Sequence, residues 1–372
     1  MTPTPHSATH KGNPTGFRTP QPTRGTLRAS TRRPVRRTLL LLALLLVGLD
    51  GLLRVGIEPW VYADKVAAPS VLWRLALYHA TAPPDVLIMG SSRVQLGLSP
   101  VLMGQTLTQA GLPPTRILNL GLKLGTPQAN LWLLKNVIRA DKQPKVIIYG
   151  AAEYEFNANI GLPHDYDYTN ELATLADYGA AFPDPRQRID AQLGFLLGRA
   201  SYLVRYHQAI RDEWEASDAL PPTTNAAGLP PDPYGFVPSE ILMNAASNGR
   251  MRGEYVDAPG WGLLRDYQVG GQGVARFAEF LHLAQARGIR VILVNMPIAR
   301  VHETFLAPAA YASYRAYLQA TAARYGLAYY DYNRHELWPE PQDWQDTNHL
   351  NSWGAAKFSP LLAREALLPA LR

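Results

Sequence analysis

The run "VLIMGSSRVQLGL", residues 86–98, decides how this chain is read. Val86 to Met89 is apolar at every position, with no polar alternation. A short continuous apolar run of that kind reads as a strand covered on both faces, the signature of a parallel sheet inside an α/β domain. It stops at Gly90-Ser91-Ser92-Arg93, a cluster of small residues that suits a strand end where the chain turns sharply.

The same strand pattern recurs at Arg116–Leu120, Val146–Tyr149, Arg290–Asn295 and Leu327–Asp331. Helix-like segments lie between or after them, at Pro100–Ala110, Pro127–Ala140, Val274–Arg287, Ala309–Tyr325 and Ser352–Leu368. Strands alternating with helices predict an α/β domain, a three-layer sandwich with a mostly parallel sheet of flavodoxin-like type, over residues 85–372. The alternation breaks between about 151 and 271, an interval too long for a plain loop and expected to be an insertion or lid.

In open α/β sheets ligands bind beyond the carboxyl ends of the strands. Ser91 and Ser92 stand at such an end. A serine hydroxyl is a weak nucleophile without a base, and the base must be oriented by a further group. "DTNHLNSWG", residues 346–354, follows the fifth strand and supplies both, Asp346 and His349, just before a helix that Asn351 or Ser352 can cap. Alone, a Gly-Ser-Ser is more often an ordinary turn and an Asp-x-x-His more often surface decoration. Their joint placement on one rim points to Ser92, His349 and Asp346 as nucleophile, base and orienter.

Composition narrows the function classes. The chain has 372 residues, 47% hydrophobic, and no cysteine, which excludes disulfides, thiolate catalysis and cysteine-ligated zinc. The net charge of +6 is carried by residues 1–37, with eight Lys and Arg and no acid; the remaining 28 basic and 30 acidic residues give a formal −2. No nucleic-acid footprint is left on the globular part. Residues 1–37 read as a disordered basic cytoplasmic tail. "TLLLLALLLVGLDGLLRVGI", residues 38–57, would make a helix about 30 Å long, enough to span a bilayer as a signal anchor. The basic tail would hold the N-terminus inside, leaving a connector at 58–84 and then the domain outside the cytoplasm. No A-x-A-like cleavage site follows the apolar run closely.

The blocks "MGSSR", "NLGLKLGT" and "DTNH" together resemble those of the SGNH hydrolase superfamily, the GDSL-type esterases and acyltransferases. The resemblance covers most of 85–360, apart from the insertion, and implies Ser92 as nucleophile, Asp346 and His349 as its partners, and the amides of Gly121 and Ser92 as oxyanion donors. The third block, usually Gly-x-Asn-Asp, is replaced by "YGAAEYEFN", which puts Glu153 near the position of the oxyanion asparagine. Arg93 and Lys123 are candidate replacement donors or substrate contacts, with a structural salt bridge to an acid such as Glu153 as the alternative. Within the superfamily the chain is most similar to membrane-anchored, DltD-like and alginate-acetylation-like members. That likeness implies an acylated donor, an envelope glycan acceptor and a membrane-bound O-acyltransferase as partner.

Two functions are therefore expected in competition: a serine acyltransferase or acylesterase, and a non-catalytic scaffold or polymer-binding protein on the same fold. Tyrosines around 164–178, Tyr166 and Tyr168 among them, could serve a sugar platform or simply pack a lid. His302 and His335 have no evident carboxylate partner at ligand spacing, so neither a metal site nor another cofactor is expected.

Overall fold

The computed structural model describes residues 32–62, 71–159, 175, 185–201, 227–230, 232–257 and 262–372. Contacts divide the chain into Met1–Gly51 and Leu52–Arg372. The described part of the first unit belongs to helix α1, Arg32–Tyr62, whose large apolar side chains from Leu39 to Leu52 are 41–73% exposed. The side chains of 53–57, the end of the expected span, lie outside the described residues. Among those described, no helix is long and apolar enough to cross a membrane.

The second unit carries five described strands, β1 Val86–Gly90, β2 Ile117–Asn119, β3 Val146–Ala151, β4 Arg290–Asn295 and β5 Ala328–Asp331. They form one sheet in the order β2-β1-β3-β4-β5, every pairing parallel. This is the expected α/β sandwich. The apolar runs are continuous because both faces are buried. Leu87, Met89, Ile147, Tyr149 and Leu293 pack on one side against α5 (Pro127–Asn136), α8 (Gly271–Ala286) and α10 (Pro308–Tyr325). Val86, Ile88, Val146, Ile148 and Val294 pack on the other against α3 (Ser92–Gly97), α4 (Pro100–Gln109) and α11 (Ser352–Leu362). Short helix α2, Val71–Ala80, precedes the sheet, and α6, Pro185–Ala200, lies in the long interval between β3 and β4.

Helix α3 begins directly at Ser92 and was not anticipated from sequence. At six residues it is too short to show periodicity, and it starts because the Ser91 side chain accepts from the Arg93 N–H. Ser99 and Thr126 cap α4 and α5 in the same way.

Much of the expected lid at 151–271, Tyr166 and Tyr168 included, lies outside the described residues. Its two ends close on each other: Ala158 donates to the Gln268 carbonyl at 2.7 Å and Gly270 to that of Phe156 at 3.0 Å. A described strap, residues 232–243, runs along the carboxyl rim of the sheet. Asn119 donates to Tyr234, Val237 to Gln95, Ser352 to Ser239 and Met243 to Trp344, all backbone to backbone at 2.7–3.0 Å. Helix α7, Ala245–Arg252, follows it and passes into a wider π turn, Gly253–Asp257.

The end of β1 depends on a glycine pair. Gly90 faces Gly150 in register and has φ 139°, a conformation side chains rarely adopt. A Cβ there would collide with the Gly150 carbonyl oxygen. Replacing Gly90 by Ala should lower the urea midpoint, at a cost of about 2 kcal/mol or more. The control Gly111→Ala also has a positive φ, 88°, but meets no atom within 4 Å, so it should cost distinctly less.

Candidate functional site

Three of the sequence-derived residues meet at the carboxyl rim. The Ser92 hydroxyl lies 2.8 Å from His349 Nε2. On the far side of the ring, His349 Nδ1 lies 2.9 and 3.0 Å from the two oxygens of Asp346. These contacts fix the proton on Nδ1, donated to the carboxylate, and leave Nε2 free to accept from the serine. Ser91, the other serine, is fully buried and serves as the helix cap.

Between β5 and α11 the chain makes one short 3₁₀ turn, His335–Leu337, and local hydrogen bonds shape the loop that follows it. Asp346 Oδ1 accepts from the backbone N–H of Asn348 at 3.1 Å and of His349 at 3.0 Å. Gln345 and His349 join through the backbone at 2.9 Å, and Trp344 bridges Leu350. Of the two capping candidates, Asn351 is the one used: its side-chain oxygen accepts from Trp353 and Gly354 at the start of α11. Asp346 is therefore held by its own chain before it meets the histidine.

Burial pushes the Asp346 carboxyl up. His349 and the two backbone N–H groups outweigh it and bring it down to about 2. The His349 side chain is 14% exposed against 2% for Asp346, so the orienter is sealed while the base remains open on one side.

Two other assignments are corrected. Gly121 was expected to offer its amide to an oxyanion, but that N–H donates to Asn119 Oδ1 at 2.9 Å. Asn119 is itself locked by donating to the Val94 and Leu98 carbonyls at 2.7 and 2.9 Å. The glycine is needed for close packing instead: a Cβ would stand 2.5 Å from Val94 and 2.9 Å from the Ser91 carbonyl oxygen. Arg93 is not a free cation facing substrate. It is 2% exposed and forks onto Glu153, Nη1 to Oε2 at 2.6 Å and Nη2 to Oε1 at 2.5 Å. The salt-bridge alternative holds, because a guanidinium buried beside a carboxylate gains more from the bidentate pair than from waiting for a ligand. Lys123 is exposed.

His302 was read as having no carboxylate partner, yet its Nε2 lies 2.9 Å from Glu153 Oε1 and its Nδ1 2.8 Å from the Thr347 hydroxyl. The pairing spans 149 residues of sequence, beyond the reach of any spacing rule. His335 likewise approaches Glu303 at 3.1 Å. Tyr255, from the π turn after α7, reaches in to meet the Asn348 amide at 2.7 Å and packs edge-on against the His302 ring. No sequence signal singled out Tyr255 or Asn348. Among the described residues no group of three or more His, Asp or Glu side chains could hold a metal ion.

No family model matches the chain, and neither does any curated protein. Solved structures similar to it include a GDSL-like lipase from Bacteroides thetaiotaomicron, at 11% identity over 81% of this chain and 98% of that one, TM-score 0.39. Another is the lipase/acylhydrolase from Enterococcus faecalis, at 14% identity over 76% and 94%, TM-score 0.35. At this distance no residue role passes from them to this chain.

The low Asp346 value ties stability to pH. A carboxyl whose folded-state pKa is depressed stabilises the fold above its unfolded value near 4, and that contribution is lost as pH falls through about 2. Asp346→Asn should cost stability at pH 6. The gap between parent and variant in urea unfolding should then shrink by on the order of 2 kcal/mol toward pH 2.

Proposed function

We propose that the chain is a serine acyltransferase or acylesterase, with Ser92 as nucleophile, His349 as general base and acid, and Asp346 as orienter. The observation that carries this reading is the continuous contact from Ser92 through His349 to Asp346, 2.8 and 2.9 Å, with only the histidine and serine end open. Ser92 Oγ attacks the acyl carbonyl while its proton passes to His349 Nε2. The imidazolium, stabilised by Asp346, returns that proton to the leaving oxygen. The acyl group left on Ser92 then passes to water or to a second hydroxyl. The Ser92 backbone N–H is the remaining oxyanion donor of the pair implied by the family resemblance. One missing donor costs about 3–4 kcal/mol of transition-state stabilisation, so turnover on simple esters should be slow.

We further propose that the domain works outside the cytoplasm on O-acyl groups of an envelope polysaccharide, tethered by the 38–57 helix beside a membrane-bound O-acyltransferase. Support for the tether comes from the exposed leucines of α1 and the acid-free basic tail. Support for the polymer comes from the likeness of the anchored topology, with its Gly-Ser-Ser and Asp-x-x-His, to DltD-like and alginate-acetylation-like proteins.

A second reading, a non-catalytic scaffold on this fold, is favoured by two observations: the Gly121 amide is already engaged, and a carboxylate stands at the third block. A fluorophosphonate probe separates the two. Under the enzyme reading it labels Ser92, labelling disappears in Ser92→Ala, and it slows about 10²- to 10⁴-fold in His349→Ala. A folded parent that leaves the probe untouched would be a scaffold. The tether predicts an intact chain in the membrane fraction, with residues 58–372 open to protease from the outer side only. A soluble form starting near residue 60 would overturn it.

A further inference from the structure

The loops after β1, β3, β4 and β5 all end at the rim that holds Ser92, and each contributes one side chain to a buried line of hydrogen bonds. Arg93, next to Ser92, forks onto Glu153 beyond β3. Glu153 Oε1 also receives His302 Nε2, from the short helix α9, Arg300–Glu303, after β4. His302 Nδ1 meets the hydroxyl of Thr347, the residue beside Asp346. The Thr347 carbonyl accepts from the Ala299 N–H at 2.9 Å, so the same residue is tied twice to the β4 loop.

The line has the grammar of a second hydroxyl–histidine–carboxylate triad, but its access is wrong for chemistry. The His302 and Glu153 side chains are 0% and 1% exposed, and Thr347 is fully buried. Burial pushes His302 down, leaving a neutral ring whose Nε2–H donates to Glu153 and whose Nδ1 accepts from Thr347. Arg93 and Glu153 cancel each other's charge. What remains is a rigid link between two short segments, one carrying the serine and the other the aspartate and histidine.

We propose that His302, with Glu153 and Arg93, is a positioning residue, part of a buried strut that sets the distance between the Ser92 turn and the Asp346–His349 loop. The inference rests on the acyl-transfer reading of those three residues. Its physical basis is placement: both ends of the strut are one residue from a reacting or orienting group, and a misplacement of about 1 Å can cost 10²-fold in rate.

The test uses paired variants of the full chain. Thr347→Val removes the hydroxyl at nearly constant volume and Thr347→Ser restores it. His302→Ala removes the ring, and His302→Gln keeps one donor and one acceptor. On an aryl ester, Thr347→Val and His302→Ala should lower kcat by roughly 10- to 100-fold with KM little changed, and the two conservative partners should recover most of it. The downfield proton resonance of the His349–Asp346 hydrogen bond should weaken in Thr347→Val and return in Thr347→Ser. An unchanged kcat per folded molecule, with only the melting temperature lowered, would show a merely structural role and overturn the proposal. Should the parent neither label at Ser92 nor turn over ester, the acyl-transfer reading fails. The resonance then decides the strut alone: loss with recovery supports it, and persistence in Thr347→Val and His302→Ala overturns it.

Discussion

A carboxylate inside an α/β sandwich is costly unless its charge is answered on the spot, and Glu153 is 1% exposed at the end of the central strand β3. The effective penalty for burying such an ion is several kcal/mol. Two side chains answer it: the Arg93 fork from the β1 turn and the His302 ring from the β4 loop. Burial alone would raise the Glu153 carboxyl, but Arg93 first and His302 after it hold it well below the usual carboxylate range. Because each partner comes from a neighbouring strand end, satisfying one charge fixes three loops at once. Ser92 sits where it does because Arg93 cannot leave.

Glu155, two residues on, shows the opposite solution. It has no cation of its own, and burial pushes it well above the ordinary carboxylate range despite hydrogen bonds from the Tyr149 hydroxyl and the Ala152 N–H. The protonated form of this carboxyl is favoured by burial beside the Tyr149 hydroxyl. One short turn thus holds two glutamates whose carboxyls are pushed in opposite directions, one beside a guanidinium and one without it.

The two histidine–carboxylate pairs of the rim diverge by access in the same way. His349 with Asp346 is open on one edge and faces a serine hydroxyl, which suits proton transfer. His302 with Glu153 is sealed among Tyr255, Phe305 and Thr347, which suits holding a shape. Close packing of small residues lets both fit. Gly90 against Gly150, and Gly121 against Val94, let the backbone of three adjacent strand ends approach within contact distance. The engaged Gly121 amide is the cost of that approach, since Asn119 claims it while bracing α3.

The sheet and the three rim residues are legible in the order of residues along the chain. Short continuous apolar runs such as Val86–Met89, closed by turn residues and alternating with helical segments, read as strands buried on both faces, and the carboxyl ends of such strands share one rim. Ser92, Asp346 and His349 were legible because each directly follows a strand or precedes a helix, where topology dictates position. Strand order, the strap at 232–243 and the partners of Arg93 and His302 were not legible. Each depends on contacts between residues far apart in the chain, from 31 for Val86 with Ile117 to 149 for Glu153 with His302, which no local period or spacing encodes. The fold also engages both Gly121 and Arg93 internally. A backbone N–H or guanidinium is available to a ligand only if no nearer acceptor claims it, and that depends on what the fold brings alongside, here Asn119 and Glu153.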